Sequence, residues 1–210
     1  MNKTRPAGVI LAGGRSRRVG EVRKALLPLN GKPLLAHVIE RLQPQLGQLM
    51  LNFEGESRDF DHFDLPLVPD LLPGFRGPLM GLYSALQQLC DNDQVGALVL
   101  CPCDAPFIPC DLVTKLQAAV QGDKHLVVVV SYQGVLQPTF SLWQSHHLPG
   151  IHSAVVEHGQ GGIRKLLLAL PHTVVEWPEA EPSPFFNVNT PAELKMAAQW
   201  VDNPPPKHHH

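Results

Sequence analysis

Short apolar runs alternate along the first 120 residues with longer segments whose apolar side chains recur at helical spacing. The apolar runs predict strands at residues 7–12, 48–53, 65–68 and 95–100. The periodic segments predict helices at residues 33–46, from Gly77-Pro78 through Leu89, and at residues 109–120. Strands that alternate with helices in this way are typical of a parallel sheet covered by helices on both faces.

The pattern changes after residue 124. The β-rich runs at residues 126–131 and 135–142 are separated by Gln133-Gly134, which predicts an antiparallel hairpin. Further predictions are helices at residues 151–157 and 163–169 and strands at residues 173–177 and 185–188. A last helix is predicted to begin at Thr190-Pro191-Ala192-Glu193, with Thr190 as the cap and Glu193 closing a capping box. The predicted fold class is therefore three-layer α/β/α, Rossmann-like, with a mostly parallel mixed sheet.

Length and composition add the organisation of the chain. The 210 residues contain no internal repeat or interdomain linker, so we expect one domain over residues 1–203 and a disordered tail with a tag remnant at 204–210. A net charge of −2 argues against nucleic-acid and membrane-surface partners, which select an excess of lysine and arginine. The sequence shows neither a signal-peptide pattern nor an apolar run near the ~18 residues of a membrane span, so we expect a cytoplasmic protein with reduced cysteines.

Candidate chemistry clusters where predicted strands end. Gly13 and Gly14 follow the first strand and lead into a basic segment that ends at Lys24. Asp70 follows the third strand, shortly before Gly77, and Asp104 follows the fourth. Ligands of open α/β sheets bind outside the carboxyl ends of the strands, so these residues are expected to converge. A cationic glycine loop with two acids predicts a site for a magnesium-bound nucleotide.

Each residue type has a physical reason and an alternative. Glycines let backbone amides face phosphate oxygens, and the side chains of Arg15, Arg17, Arg18 and Lys24 add positive charge, although a basic loop can also be a solvated turn. Magnesium takes one or two carboxylates together with phosphate oxygens, which suits Asp104. Asp104 and Asp70 could equally be turn or cap residues.

Zinc is a weaker hypothesis. Cys101 and Cys103, with Cys90 and Cys110, lack the paired C-x-x-C spacing of structural zinc sites, and thiols at strand ends are usually core residues. The histidines show no H-x-x-x-H pattern, and no G-x-S-x-G motif supports acyl transfer.

Several motifs resemble the molybdenum cofactor guanylyltransferases, a family of the nucleotidyltransferase superfamily. The first is L-A-G-G-R-S-R-R-V-G from Leu11, followed by K-A-L-L-P-L-N-G-K-P-L from Lys24. Others are G-P-L-M-G-L from Gly77, C-P-C-D-A-P-F-I-P from Cys101, Q-P-T-F from Gln137 and N-V-N-T-P-A-E-L from Asn187. The resemblance spans residues 7–195 in the family's order and implies the nucleotidyltransferase version of the predicted fold.

The resemblance implies transfer of GMP from GTP to the terminal phosphate of molybdopterin, with release of pyrophosphate and Mg²⁺ as cofactor. It assigns catalysis to Lys24, Asp104 and Arg18, and the metal to Asp104. It implies GTP binding by Leu11, Ala12, Gly13, Gly14, Lys24, Asn52, Asp70, Gly77 and Asp104. Gly77 and Gly81 would shape the nucleotide floor, and Gly81, Asn187 and Asn189 would lie toward the molybdopterin side. Proteins that insert or accept the molybdenum cofactor are implied partners.

Two departures from the family pattern leave alternatives open. Val19 stands where methionine is common, and Arg23 stands where the family commonly has aspartate before the lysine. A cation at position 23 could lower the pKa of Lys24, strengthen phosphate binding or accompany another substrate. The alternatives are a cytidylyltransferase of the same fold, acting on molybdopterin or on a sugar or polyol phosphate, and a non-catalytic GTP-binding cofactor chaperone. Cytidylyltransferases tend to read L-A-A-G where this chain has L-A-G-G, which favours guanine.

Overall fold

The computed structural model describes residues 5–13, 23–55, 57–74, 77–92, 96–120, 122–123 and 125–202. Nine strands lie in this part of the chain: β1 (Ala7–Leu11), β2 (Pro28–Leu29), β3 (Lys32–Pro33), β4 (Gln48–Phe53), β5 (Leu67–Pro69), β6 (Ala97–Pro102), β7 (Val127–Tyr132), β8 (Val135–Gln144) and β9 (His172–Trp177). The α-helices described are α1 (Leu34–Leu42), α2 (Pro78–Asp91), α3 (Leu112–Ala119), α4 (Leu148–His152), α5 (Ile163–Ala169) and α6 (Pro191–Asp202).

A seven-stranded sheet organises the fold in the order β5-β4-β1-β6-β8-β7-β9. The pairs β4–β5, β1–β4, β1–β6 and β7–β9 are parallel. Only β8 runs against its two neighbours within this sheet, β6 and β7. The sheet is thus mostly parallel and mixed, as predicted, and it takes strands from both halves of the chain.

Helices cover both faces of this sheet because its central strands are apolar on both sides. In β1, Ile10 is buried in the core that contains the inner faces of α1 and α3. Its neighbours Val9 and Leu11 belong instead to the core formed with α2, α4 and α5. Successive side chains of a strand point to opposite faces, so one continuous apolar run feeds both cores. The three-layer prediction is confirmed.

A small two-stranded hairpin, formed by β2 and β3, was not among the predicted elements. Asn30 and Gly31 form the turn between β2 and β3, and both have positive φ angles (49° and 76°). An Asn-Gly pair is a strong signal for this turn, so the dipeptide itself could have predicted the hairpin. Leu29 of the hairpin and Ala197 of α6 are fully buried in a third, smaller core.

Most predicted elements occur, with boundaries shifted by a few residues. The hairpin of β7 and β8 and helix α5 are confirmed, and α1 ends at Leu42 before a 3₁₀ turn that contains Pro44. The helix predicted at residues 151–157 is α4 followed by a π-helical turn, Ser153–Glu157. The capping box is confirmed: the Thr190 hydroxyl accepts from the Glu193 amide (3.2 Å), and the Glu193 carboxylate accepts from the Thr190 amide (2.7 Å).

The strand predicted at residues 185–188 is wrong, because this segment is an irregular loop. Phe185 packs edge-on against Phe140 and Trp177, while Phe186 packs against Trp200 of α6. Anchoring its side chains in two different cores holds the segment in place without ladder pairing. The amide of Val188 donates to the carbonyl of Asp104 (2.9 Å), which brings this loop to the carboxyl end of β6.

Candidate active site

The candidate site lies at the carboxyl ends of β1, β4 and β6. Leu11 is aligned with Asn52 of β4 on one side and with Pro102 of β6 on the other. The backbone continues this alignment past the strands, because the Ala12 amide donates to the Asn52 carbonyl (2.8 Å) and the Cys103 amide donates to the Leu11 carbonyl (3.2 Å). The parallel register therefore brings together segments that are far apart in sequence.

A cavity of about 250 Å³ opens at this edge of the sheet. It is lined by Leu11, Ala12, Gly13, Lys24, Ala25, Gly77, Pro78, Pro102, Cys103, Asp104 and Thr139. Six of the residues assigned to GTP are in that lining, whereas Gly14 and Arg18 lie outside the described residues. Pro78 begins the 14-residue helix α2, so the partial positive charge of a helix N-terminus also faces the cavity.

Lys24 and Asp104 form an ion pair beside this cavity, and both side chains are largely buried, with 16% and 14% exposed. The Lys24 amine also donates to the side-chain oxygen of Asn189 (2.6 Å). The Lys24 side chain thereby joins the turn after β6 to the loop before α6. Three of the predicted site residues meet here.

Two buried oxygens in this area have no hydrogen-bond partner within the described ranges: Oδ1 of Asp104 and Oδ1 of Asn187. The bond between Val188 and Asp104 holds Asn187 next to the Asp104 turn. Buried polar atoms are normally satisfied, so unpaired oxygens call for a partner. Carboxylate and amide oxygens are ligands that hard divalent cations prefer, and the residues therefore fit a magnesium-type ion.

Asn52 and Asp70 form a second group of polar side chains, beside the cavity-lining residue Leu11. The Asn52 amide donates to the Asp70 carboxylate (2.8 Å) and to the Val68 carbonyl (3.0 Å). Burial raises the pKa of Asp70, while the Asn52 hydrogen bond opposes the rise and the charge of Glu54 adds to it. This end of the site presents a partly desolvated carboxylate held in a fixed orientation.

Glycines allow Asn52 to lie close to two segments of backbone. A Cβ atom at Gly81 would lie 2.3 Å from the Asn52 side-chain oxygen and 2.5 Å from Leu11. A Cβ at Gly13 would lie 3.3 Å from the same oxygen, which is a tight contact. Gly81 is buried inside α2, so it contributes by admitting Asn52.

Gly77 lies at the junction between α2 and a glycine-rich loop. Its φ of 139° disfavours other residues, and a Cβ there would lie 2.5 Å from the carbonyl oxygen of Gly161. That carbonyl accepts from the Leu79 amide (3.1 Å) in the first turn of α2. The contact places the helix N-terminus at the cavity.

Thr139, for which the sequence predicted no site role, lines the cavity from a bulge in β8. Val129 pairs with Ser141 while Val130 pairs with Gln137, so residues 138–140 are left out of the ladder. The Ser141 hydroxyl donates to the Pro138 carbonyl (2.7 Å) across this bulge. Proline inside a strand pattern signals a bulge, and bulges redirect side chains near active sites.

Cys101 and Cys103 are buried core residues, whereas Cys90 is half-buried and Cys110 is exposed. Burial raises the pKa of Cys103 to about 12, and the Asp104 charge acts in the same direction; burial also raises the pKa of Cys101. These two thiols therefore stay protonated at neutral pH, as expected of core side chains. The described residues contain no group of three histidine, cysteine or acidic side chains arranged to hold a metal ion.

The structure places the guanidinium of Arg23 against the segment that follows β4. Its Nε lies 2.7 Å from an Asp59 carboxylate oxygen, and its Nη1 donates to the Glu54 carbonyl (2.9 Å). The group also lies over the Phe60 ring, 5.3 Å from the ring centroid.

Sites that handle a metal-bound polyphosphate need cationic donors, a carboxylate oxygen and backbone that a ligand can approach closely. This cleft offers all three at the position where open α/β sheets bind nucleotides, so fold and site define a nucleotide-handling α/β enzyme. The chain belongs to the MobA-like NTP transferase domain family, which matches residues 8–174.

Close relatives carry a more specific name. The molybdenum cofactor guanylyltransferase of Mesorhizobium japonicum is 35% identical over 200 residues, covering 94% of this chain and 96% of that protein. The protein of the same name from Cupriavidus metallidurans is 36% identical over 195 residues, covering 90% and 92%. The similarity extends over nearly the whole length of each chain.

Solved structures show the same fold at lower identity. The molybdopterin-guanine dinucleotide biosynthesis protein A of Archaeoglobus fulgidus superposes with a TM-score of 0.75 at 23% identity, covering 93% of this chain and 98% of that one. A manganese complex of Rv0371c from Mycobacterium tuberculosis gives 0.68 at 18% identity, covering 93% and 98%. The 4-diphosphocytidyl-2C-methyl-D-erythritol synthase of Anaerococcus prevotii gives 0.72 at 11% identity, covering 95% and 99%. These likenesses bear on the fold alone.

Proposed function

We propose that this chain transfers GMP from GTP to the terminal phosphate of molybdopterin and releases pyrophosphate. The observation that carries the proposal is the cluster of Lys24, Asp104 and Asn189 beside an unpaired buried oxygen of Asp104. The guanylyltransferase relatives, similar over at least 90% of this chain, support the same reaction.

The reaction forms a bond between a phosphate oxygen of molybdopterin and the α-phosphorus of GTP. The bond from that phosphorus to the bridging β-oxygen breaks, and its electron pair leaves on pyrophosphate. An anionic phosphate needs no strong base to act as a nucleophile. The main demands are therefore alignment of the two phosphates and neutralisation of their charge, which fixed cations and dipoles supply.

The described residues suit these demands. Lys24 holds a positive charge at the cavity, and its amine can donate to a phosphate oxygen. Backbone at Leu11, Ala12 and Gly13 lines the cavity without a bulky side chain at position 13. Leu11 and Asn52 are aligned neighbours, so a nucleotide whose phosphates lie at Lys24 can extend its base toward Asn52 and Asp70.

We assign guanine recognition to the Asp70 carboxylate. Guanine carries two adjacent donors, N1–H and the N2 amino group, and an ionised carboxylate offers two acceptors in the matching geometry. Cytosine and adenine lack this donor pair. The Asn52 bond to one Asp70 oxygen fixes the direction of the carboxylate.

Asp104 is the residue assigned to the metal, and Mg²⁺ is the ion we propose. When bound, the ion would neutralise charge on the phosphates. The Asp104 and Asn187 oxygens described above would hold it. Asn187 and Asn189 would then lie between the nucleotide and the rest of the C-terminal half of the chain. We assign the molybdopterin side to that half and the nucleotide side to the N-terminal half, and Gly81, which lies against Asn52, then belongs to the nucleotide side.

The decisive experiment incubates purified protein with molybdopterin, GTP and Mg²⁺ and follows pyrophosphate and the dinucleotide product. A thermal-shift series with GTP, CTP and ATP accompanies it, and GTP is expected to stabilise most. Equal stabilisation by CTP would favour the cytidylyltransferase. Stabilisation by GTP without any pyrophosphate release would favour the GTP-binding chaperone.

Proteins that insert molybdenum or accept the finished cofactor are expected partners, because the product must be handed on. No helix in the described part of the chain is long and apolar enough to cross a membrane. The cytoplasmic location expected from the sequence stays a prediction.

A further inference from the structure

Arg23, the residue before Lys24, has no role in the proposed reaction but contacts the segment that follows β4. It contacts two residues of this segment. Its guanidinium lies 2.7 Å from the Asp59 carboxylate and donates to the Glu54 carbonyl at 2.9 Å. Its guanidinium also lies over the Phe60 ring, which is fully buried. A guanidinium suits such a place because its planar fork can bond and stack at once.

The backbone of Arg23 leads directly into the turn that contains Lys24. Arg23 is extended (φ −62°, ψ 135°) and precedes the 3₁₀ turn Lys24–Leu26. Its carbonyl accepts from the Leu26 amide (2.9 Å), which closes that turn. A displacement of the Arg23 side chain would therefore also shift Lys24, whose amine is assigned to catalysis.

The segment that Arg23 contacts, residues 54–59, starts at the base-binding end of the site. Glu54 follows Phe53, the last residue of β4, and Asn52 lies one residue further back. The charge of Glu54 also raises the pKa of Asp70, so these carboxylates lie within electrostatic range of each other. Gly55, with a φ of 91°, allows the chain to turn beside the guanidinium.

We propose that Arg23 is a positioning residue. Paired with Asp59, it keeps Lys24 at a fixed distance from the base-binding end of the cleft. The pair fixes the distance between the cation that meets the phosphates and the groups that meet the base. This inference rests on the proposed function and adds an alignment role for Arg23, which is not among the residues that line the cavity.

The test compares Arg23→Ala, Asp59→Asn, Arg23→Asp and the charge swap Arg23→Asp/Asp59→Arg with the unaltered chain. Steady-state kinetics with GTP and molybdopterin are measured alongside GTP affinity by calorimetry and thermal unfolding. We expect Arg23→Ala and Asp59→Asn each to lower kcat/KM for GTP about tenfold, as misplacement of a reacting group does. Arg23→Asp, with two like charges facing each other, should lose more, and the charge swap should recover at least part of that loss.

Lys115 provides a matched control. It is also a cation that pairs with an acid, Asp111 at 3.1 Å, and lies over an aromatic ring, that of Trp177 at 3.9 Å. It lies on α3, which contributes nothing to the cavity lining. Lys115→Ala should lower the unfolding temperature about as much as Arg23→Ala while leaving kcat/KM unchanged.

The outcomes separate this inference from the proposed function. If the unaltered chain makes the dinucleotide and the Arg23 and Asp59 variants match its kcat/KM, the positioning role is wrong. If Lys115→Ala lowers kcat/KM as much as Arg23→Ala does at a similar unfolding temperature, the loss follows stability alone, the Arg23–Asp59 pair is only structural and the inference is overturned. If the unaltered chain itself transfers no GMP, the proposed function fails, and the inference fails with it. Asp59 is 47% exposed, so Asp59→Asn is expected to fold even if Arg23→Ala does not.

Discussion

The amine of Lys24 donates to the carboxylate of Asp104, a contact that joins residues 80 positions apart. Lys24 comes from the turn before the β2–β3 hairpin, and Asp104 comes from the turn after β6. Neither residue is close to the other in sequence, and the parallel pairing of β1 with β6 brings their segments together. This ion pair marks the centre of the candidate site.

Asp104→Ala should lower the rate of GMP transfer at least about 100-fold, because it removes the carboxylate that is proposed to hold the metal ion and also removes one charge partner of Lys24. Pyrophosphate release and circular dichroism are measured on the same samples. Asp91→Asn, an exposed acid near the end of α2, serves as the control and should retain activity. Activity near the unaltered level in a folded Asp104→Ala protein would contradict the metal assignment.

Asp70→Asn should weaken GTP binding about 10- to 100-fold, because one of two charge-assisted acceptors becomes a donor. The affinities for ATP and CTP should change much less, so selectivity between the bases falls. Calorimetric titration with the three nucleotides measures this ratio.

Asp70→Asn should maintain or raise the folding stability, although it weakens GTP binding. Burial raises the pKa of Asp70, so the ionised carboxylate opposes folding at neutral pH. A neutral asparagine can still accept the bond from Asn52, and we expect an unfolding temperature equal to or above that of the unaltered chain. A variant that lost GTP binding because it unfolded would show the reverse.

Gly81→Ala should destabilise the protein by about 1–3 kcal/mol, the usual cost of overpacking a core. The added methyl group would press on Asn52 and Leu11, and GTP affinity should fall with it because Asn52 orients Asp70. Chemical denaturation and calorimetry measure the two effects. Gly150→Ala is the matched control: it also lies in a helix, and no atom is within 4 Å of its Cβ position, so it should be neutral or slightly stabilising.

His147 should make folding stability depend on pH in the mildly acidic range. Burial lowers the pKa of His147 below its ordinary value of 6.5, and the charges of the neighbouring histidines act in the same direction. The unfolded chain therefore binds a proton more readily than the folded one. The stability is complete above pH 6.5 and falls as the pH decreases, by at most about 1.4 kcal/mol per pH unit from this residue.

The His147 prediction is tested by urea unfolding at several pH values. The Nδ1 of His147 accepts from the Gln144 amide (3.1 Å) and Nε2 lies 3.1 Å from the His125 carbonyl, so protonation removes the first of these bonds. His147→Gln should flatten the pH dependence, whereas His158→Gln, at an exposed position, should leave its slope unchanged. Equal slopes in the unaltered and His147→Gln proteins would refute the assignment.

Local pattern determined the elements that have their own signals. Apolar runs identified β1, β4 and β6, Gly77-Pro78 located the start of α2, and the Thr190 capping box located α6. The predicted strand at residues 185–188 failed because the same apolar residues serve two cores, and pattern alone does not distinguish a buried loop from a buried strand. The β2–β3 hairpin has a local signal of its own, the Asn30-Gly31 pair, although it was not among the predicted elements.

The sequence by itself determined the kinds of residue available at each strand end: glycines, Lys24, Asp70 and Asp104. Tertiary structure alone decided which of them meet. The Lys24–Asp104 pair, the placement of Asn52 against Gly81 and the grip of Arg23 on Asp59 all depend on strand order and register. Such contacts join segments distant along the chain, so their geometry is absent from any local pattern and is created only when the sheet assembles.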